Sequence, residues 1–467
     1  MRVKFLGGVK NVTGSKFLLE ISDRRIMVDC GLFQERELKD RNWASFPVEP
    51  SSIDAIILTH AHLDHCGHLP KLVKDGFKGN IFCTEPTADI AKIALLDAGK
   101  VQEADAEKKR ERHLKEERKS PFPVVPLYTA DDAKGVFPLL KSYPYEHPFE
   151  LFKDVYISFH DAGHILGAAM IKFEIKDTDG KTKKLIFSGD IGRWDKPVLK
   201  DPTLFQEADI VFMESTYGNK DHKSEEEAGF ELADVINTTV KRGGNIIIPT
   251  FAIERTQEIL YFLSRFLKED IIPHILVFVD SPMAIDITEV FAKYPDYLDE
   301  KTQKMINGGV SPFDFPLLKL TRTVEESKSI NHITGSIVIM AGSGMCTGGR
   351  IKHHLITNIT REESSIVFVG YQAKGTLGRE ILEKPEKVRI LGKEYNVKAT
   401  IKDINGFSAH AGKTELLRWI NGFTKPPEKI FIIHGEEESS LEFANTLREK
   451  NQGSEIIIPE YLSEHEI

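Results

Sequence analysis

The stretch Thr59-His60-Ala61-His62-Leu63-Asp64-His65 constrains this chain more than any other. It follows Ala55-Ile56-Ile57-Leu58, an apolar run rich in β-branched residues that reads as a strand buried on both faces. Four metal-competent side chains thus fall within six residues at a strand end, and Gly67 and Pro70 turn the chain just beyond. Imidazoles and carboxylates taken out of water are costly unless an opposite charge offsets their desolvation. A divalent cation does this, and a mixed imidazole and carboxylate set suits zinc. Alternation along extended backbone sends His60 and His62 to one side. Asp64 and His65, further round the turn, reach toward a second ion.

His-x-His-x-Asp-His after an apolar strand resembles the metallo-β-lactamase fold, whose members hold one or two metals at the edge of a β-sandwich. The family's other conserved positions have counterparts at strand ends or beside glycine. They are Asp29 in Ile26-Met27-Val28-Asp29-Cys30-Gly31, His164 in Asp161-Ala162-Gly163-His164, and Asp190 in Phe187-Ser188-Gly189-Asp190.

The 467 residues exceed one ordinary domain, so two are expected. Hydrophobic residues make up 41% and charged ones 28%, enough for a sizeable core. Cys30, Cys66, Cys83 and Cys346 show no pair spacing, so no disulfide framework is expected and a cytoplasmic location fits. Met1 to Phe5 reads as the start of a strand and not as a signal peptide, and no run approaches membrane-spanning length. A net charge of −9 argues against a wholly basic nucleic-acid coat but leaves room for local phosphate sites.

Hairpin strands are expected at 3–6, 16–20 and 25–29, a strand at 80–84 and a helix at 87–96. Residues 101–120 carry seven Lys or Arg against six Asp or Glu and read as a solvated helix, with an RNA-contacting arm as the sharper alternative. Strands resume at 155–159, 168–173 and 184–188, and Ile210-Val211-Phe212-Met213-Glu214 is another buried strand ending in a carboxylate. From there strand and helix alternate: helices at 226–240 and 256–267, strands at 245–249, 274–280, 336–340 and 365–369. This indicates a second, parallel α/β unit. Asn405-Gly406-Phe407-Ser408-Ala409-His410 and the strand Lys429 to Ile433, followed by His434, return to the first pattern.

A late α/β insertion in this fold resembles the β-CASP nucleases, which include the mRNA 3′-end cleavage factor and RNase J. The family adds an acidic residue at a strand end, a histidine in a Phe-Ser-x-His-type segment and a later histidine or valine. Glu214, His410 and His434 fill these positions, and histidine at the last marks the RNA-processing branch. Further matches are Pro249 to Ala252, Asp280 to Ala284, Gly342 to Arg350 and Gly370 to Leu377. The implied fold is α/β: an αββα metallo-β-lactamase sandwich (1–218 and 391–467) with a parallel β-CASP domain (219–390) inserted.

The resemblance implies that His60, His62 and His164 bind one zinc ion and that Asp64, His65 and His434 bind a second, with manganese as the alternative metal. Asp190 would bridge both, and Asp29 would hydrogen-bond the 60–65 loop. His410 would protonate the leaving group with Glu214 holding its ring, and Ser408, Arg350, Gly344 and Gly348 would contact RNA phosphate. The implied activity is endonucleolytic RNA cleavage, with a 5′-to-3′ exonuclease as alternative and a small-molecule hydrolase or a non-catalytic subunit further off. RNA is the expected partner, a second copy a further one, and no membrane.

Overall fold

The computed structural model describes residues 1–116, 124–176, 180–373, 375–450 and 453–467. The tail of the charged run (117–120) and Lys374 of the Gly370 to Leu377 stretch lie outside the described residues. The chain forms two compact units. One comprises Met1–Trp194, Asp201–Asp221 and His410–Ile467, the other Asp195–Lys200 and His222–Ala409.

The first unit is built on two seven-stranded sheets. One runs, edge to edge, Glu464–Glu466, Arg2–Gly7, Lys16–Ile21, Arg24–Val28, Ala55–Ile57, Asn80–Cys83 and Leu140–Ser142. The other runs Glu455–Ile457, Lys429–Ile433, Ile210–Glu214, Thr182–Phe187, Ala169–Lys176, Val155–Asp161 and Phe149–Phe152. Their facing sides share one apolar core, in which Val3, Phe5, Phe17 and Val28 of the first meet Phe159, Phe187, Phe212 and Phe431 of the second. Helix Glu85–Lys115 lies beside the first sheet's edge strand, and helix Glu437–Lys450 lies against the second sheet. The result is the expected αββα sandwich.

Three parallel strands place a phenylalanine ladder at the centre of this core. Phe187 pairs in register with Phe212, and Phe212 with Phe431. Their rings stack at 4.0 Å and 4.9 Å with nearly parallel planes. Because the strands are parallel and in register, their carboxyl ends emerge at one edge. Ser188, Glu214 and His434 follow there within one to three residues of the ladder. Loop closure beside this edge depends on glycine at two positions. A Cβ on Gly31 would lie 1.5 Å from the Asp64 carbonyl oxygen, and one on Gly192 would lie 1.8 Å from the Gly163 oxygen.

The helix expected at 87–96 is longer, extending from Glu85 to Lys115. Thr84 caps it, and Gly99 continues it where the backbone of Thr129 and Ala130 passes too close for a side chain. Its first half is largely buried; from Val101 onward, Ala106 is the one buried position. The described part of the charged run, Val101 to Lys115, is therefore the solvated continuation of a helix anchored in the fold.

The second unit carries a six-stranded, all-parallel sheet ordered Leu318–Leu320, Leu276–Val279, Ile337–Ala341, Ile246–Pro249, Ser365–Phe368 and Thr400–Asp403. Its three strands Ile246–Pro249, Ile337–Ala341 and Ser365–Phe368 are buried at every residue, as continuous apolar runs require in a parallel sheet. The division differs from the sequence reading at three points, the first being that the early part of the first unit ends at Asp221 and not at 218. The chain returns to the first unit at His410 and not at 391, because Thr400–Asp403 pairs with Ser365–Phe368 in the insert's sheet. Asp195–Lys200 also belongs to the second unit, where the Val198 carbonyl accepts from the Asp299 amide at 2.9 Å.

Truncating the ladder should cost the fold directly. Phe212→Ala is expected to destabilise the chain by about 3–5 kcal/mol, the usual cost of emptying a fully packed aromatic site. Denaturant unfolding followed by tryptophan fluorescence measures this, and a loss below about 1 kcal/mol would contradict a central role for the ladder.

Candidate metal centre

Asp29 ends the strand Arg24–Val28 in a left-handed backbone conformation, φ 58°, which turns its carboxylate back across the sheet edge. One carboxylate oxygen accepts from the Thr59 amide at 2.8 Å. The other accepts from the Thr59 hydroxyl at 2.8 Å and from His65 Nδ1 at 2.7 Å. With Nδ1 so engaged, His65 points Nε2 inward. Thr59 continues the relay: having donated to Asp29, its oxygen accepts from His60 Nδ1 at 3.0 Å, leaving the His60 Nε2 lone pair free. Asp29 thus holds the 59–65 loop through hydrogen bonds, in the place the resemblance implied.

The inward nitrogens converge. His60 Nε2 lies 3.1 Å from His62 Nδ1, and His164 Nε2 lies 3.2 Å from that same Nδ1. His65 Nε2 lies 3.1 Å from His434 Nε2. Asp190 stands between the two groups. Its Oδ2 is 3.3 Å from His60 Nε2 and 3.4 Å from His164 Nε2, while its Oδ1 is 3.3 Å from His65 Nε2 and 3.4 Å from His434 Nδ1. Asp64 Oδ2 approaches His434 Nε2 at 3.6 Å. Donor atoms of His60, His62, His164 and Asp190 all lie within 4.8 Å of one another, as do those of Asp64, His65 and His434.

These donors fit a divalent metal on three counts. His60 Nε2 and His164 Nε2 both face His62 Nδ1, which can share a single hydrogen with only one of them, so the other contact is unfavourable unless a cation lies there. Asp190 Oδ1 is enclosed yet accepts no hydrogen bond among the described residues. Burial also depresses the histidines: His60 titrates at about 3 and His62 at about 4, with neighbouring histidines adding to the effect at His60, and His164 is likewise driven well below its ordinary value. Neutral imidazole is the form that binds metal. His65 differs. Desolvation opposes its charge, but the carboxylates of Asp190 and Asp29 outweigh that and raise it well above the usual value.

His410 sits beside this centre. Its Nδ1 is 3.2 Å from Glu214 Oε1, its Nε2 is 3.9 Å from Asp190 Oδ2, and its ring lies 4.6 Å from that of His164. Desolvation works against its charge, yet Glu214 and Asp190 together lift it to about 9. Glu214 is fully buried and accepts from the Ile191 amide at 2.6 Å and the Thr216 amide at 3.2 Å. The Ala411 amide donates to the Ile191 carbonyl at 2.7 Å, which fixes the His410 segment from the other side. His410 also falls in a third group with Asp190 and His434 whose donor atoms lie within 4.8 Å.

The remaining sequence candidates belong to the second unit. Arg350 is engaged there: it donates to Asp280 Oδ1 at 2.6 Å, the Thr321 carbonyl at 3.1 Å and the Arg322 carbonyl at 2.7 Å. The Gly348 amide donates to the Ser343 hydroxyl at 3.1 Å, and the Gly344 carbonyl accepts from Gln372 at 2.9 Å. Those groups brace the glycine-rich loop itself. Ser408, half-buried, precedes His410 by two residues. Sequence reasoning missed Thr59 and Thr216, whose signal was a hydroxyl residue immediately next to a ligand run or a strand-end carboxylate.

Three family descriptions match the chain: a metallo-beta-lactamase superfamily domain at 18–206, a Beta-Casp domain at 256–381 and a Zn-dependent metallo-hydrolase RNA specificity domain at 394–459. The chain is 37% identical to ribonuclease TTHA0252 of Thermus thermophilus over 452 residues, 97% of each protein. It is 33% identical to transcription termination factor FttA of Methanocaldococcus jannaschii over 96% of this chain and 69% of that one, and 32% identical to the Methanosarcina mazei FttA over the same shares. A solved structure of a protein of unknown function from Enterococcus faecalis V583 shares the fold, with a TM-score of 0.53 at 12% identity over 99% of both chains.

The opposite shifts of the histidines give a pH signature. At neutral pH an ion entering beside His65 must displace its proton, whereas His60, His62 and His164 are already neutral. Calorimetric titration of metal-free protein in buffers of different ionisation enthalpy is expected to show proton release. On acidification toward pH 5 the His65 group should lose metal first. Loss from the His60 group first would contradict these assignments.

Proposed function

The chain belongs to the β-CASP branch of the metallo-β-lactamase superfamily, and on that premise we propose that it is a metal-dependent ribonuclease acting endonucleolytically in RNA processing. The observation that carries this reading is Asp190, which presents one carboxylate oxygen to each of two imidazole groups. His60, His62 and His164 with Asp190 Oδ2 would hold one zinc ion, and Asp64, His65 and His434 with Asp190 Oδ1 a second. Bound ions of this kind supply an activated water and neutralise phosphate charge.

The chain's own residues supply the rest. Asp29 and Thr59 keep the loop donors in register through their hydrogen bonds. His410, tied to Glu214 through Nδ1, offers its Nε2 proton to the leaving alkoxide as the phosphorus–oxygen bond breaks. The buried Glu214 stabilises the imidazolium before transfer and holds the ring afterwards. RNA as substrate is supported by the ribonuclease relative and by the match to an RNA specificity domain. A cytoplasmic setting is supported by the four buried, unpaired cysteines. No described helix is long and apolar enough to cross a membrane.

RNAs labelled at either end, carrying a 5′-hydroxyl or a 5′-monophosphate, test the reaction. Internal fragments from both are expected, with cleavage abolished by chelation and restored by zinc. Stepwise mononucleotide release that requires the 5′-monophosphate would make the enzyme an exonuclease.

Variants separate the ligands. Asp190→Asn should lose most metal from both groups, while His434→Ala should keep the ion of the His60 group, read by elemental analysis. Unchanged content in both would remove the bridging assignment.

His410→Ala should retain both ions while RNA cleavage falls about 10²–10⁴-fold, and an activated aryl phosphodiester should lose far less. Glu214→Gln removes the carboxylate that raises His410, so the alkaline limb of the rate profile should move to lower pH. Loss of an ion from His410→Ala would make His410 a ligand instead of an acid.

A further inference from the structure

We infer that Thr216 is the positioning residue that fixes His434 with its Nε2 lone pair turned into the metal pocket. This deepens the two-ion reading above and rests on it. Glu214 and Thr216 flank the end of the strand Ile210–Glu214, and neither the strand nor its end supplies a ligand of its own. Parallel pairing sets Glu214 beside Ile433, so the two strands leave the sheet together. The Ser215 amide then donates to the His434 carbonyl at 3.2 Å, and the Ser215 hydroxyl to the Ile433 carbonyl at 3.0 Å.

His434 itself adopts a left-handed conformation, φ 47°, uncommon for a residue other than glycine, and both of its backbone polar groups are held there. Its amide donates to the Gly8 carbonyl at 2.7 Å, and its carbonyl accepts the Thr216 hydroxyl at 3.0 Å. That hydroxyl has a single hydrogen. Once it is given to the carbonyl, the Thr216 oxygen faces His434 Nδ1, 3.0 Å away, as an acceptor. Asp190 Oδ1, 3.4 Å from the same nitrogen, makes no hydrogen bond to it, but its negative charge favours a proton there. The Nδ1 atom therefore carries the proton, and Nε2 is left as the metal-binding atom. It faces His65 Nε2 at 3.1 Å and Asp64 Oδ2 at 3.6 Å. The Thr216 amide donates to Glu214 Oε2 at 3.2 Å, so one strand end orients both late histidines: Glu214 takes His410 and Thr216 takes His434.

The test is metal affinity, measured on the intact chain by competition between zinc and a chromophoric chelator. Thr216→Val preserves the shape of the side chain and removes its hydroxyl. Its second-ion affinity should fall about 10–100-fold, the usual effect of losing a partner to a ligating histidine. The ion of the His60 group should stay in place, and Thr216→Ser should restore the second. Thr216→Ala, read the same way, should match the valine variant. Wild-type affinity in Thr216→Val and Thr216→Ala overturns the inference. So does loss of both ions in both variants, which would place the effect in the fold and not in His434. A wild-type chain that binds only one ion would instead overturn the two-ion reading.

Discussion

Three carboxylates and five histidine rings share one enclosed volume at the edge of the sandwich, and the rest of the first unit is arranged so that this remains tolerable. Against the cost of burial, neighbouring histidines keep Asp64 and Asp190 below the usual carboxylate range, whereas burial pushes Asp29 up and holds His60, His62 and His164 neutral. Left alone, that inventory has an excess of lone pairs and negative charge in a low-dielectric space, a costly arrangement. Protonation of His65 relieves part of it; a divalent cation relieves all of it by taking the place of repelling lone pairs. The same imbalance explains why His410 is charged nearby: it answers carboxylates that the other histidines leave uncompensated.

Rigidity comes from below. The stacked rings of Phe187, Phe212 and Phe431 lock three parallel strands in register, and the residues that follow them fan out toward the pocket. Orientation then passes through short polar relays. Asp29 and Thr59 serve the early histidines, and Glu214 and Thr216 serve the late ones. Each relay uses one oxygen to accept from an Nδ1–H, so that the opposite nitrogen faces inward.

The clustering of the candidate ligands was legible in the sequence because its signal is local: residue type, spacing and an apolar strand just upstream suffice for His60 through His65, and a glycine neighbour marks His164 and Asp190. Long strands were legible for the same reason. The insert's end was not, since Thr400–Asp403 is a strand by its partner in the second unit's sheet and carries no distinctive pattern. The edge strand Glu464–Glu466, paired with Arg2–Gly7, is acidic and short and declares itself only through that pairing. Arg350 looked available for phosphate because sequence cannot show that Asp280 and two carbonyls already occupy it. Thr216 escaped notice because a hydroxyl that sets a ring's tautomer has no spacing rule.

The insertion also sets the order in which the pocket comes into being during synthesis. Asp29, the 60–65 loop, His164 and Asp190 leave the ribosome early, but His410 and His434 follow only after the entire second unit has been made. At usual elongation rates that interval is on the order of tens of seconds. Throughout it the nascent chain holds all four donors of the His60 group and lacks both late histidines. The chain order thus makes the insert's completion a precondition for assembling the whole donor cluster, because its last two histidines lie beyond that insert.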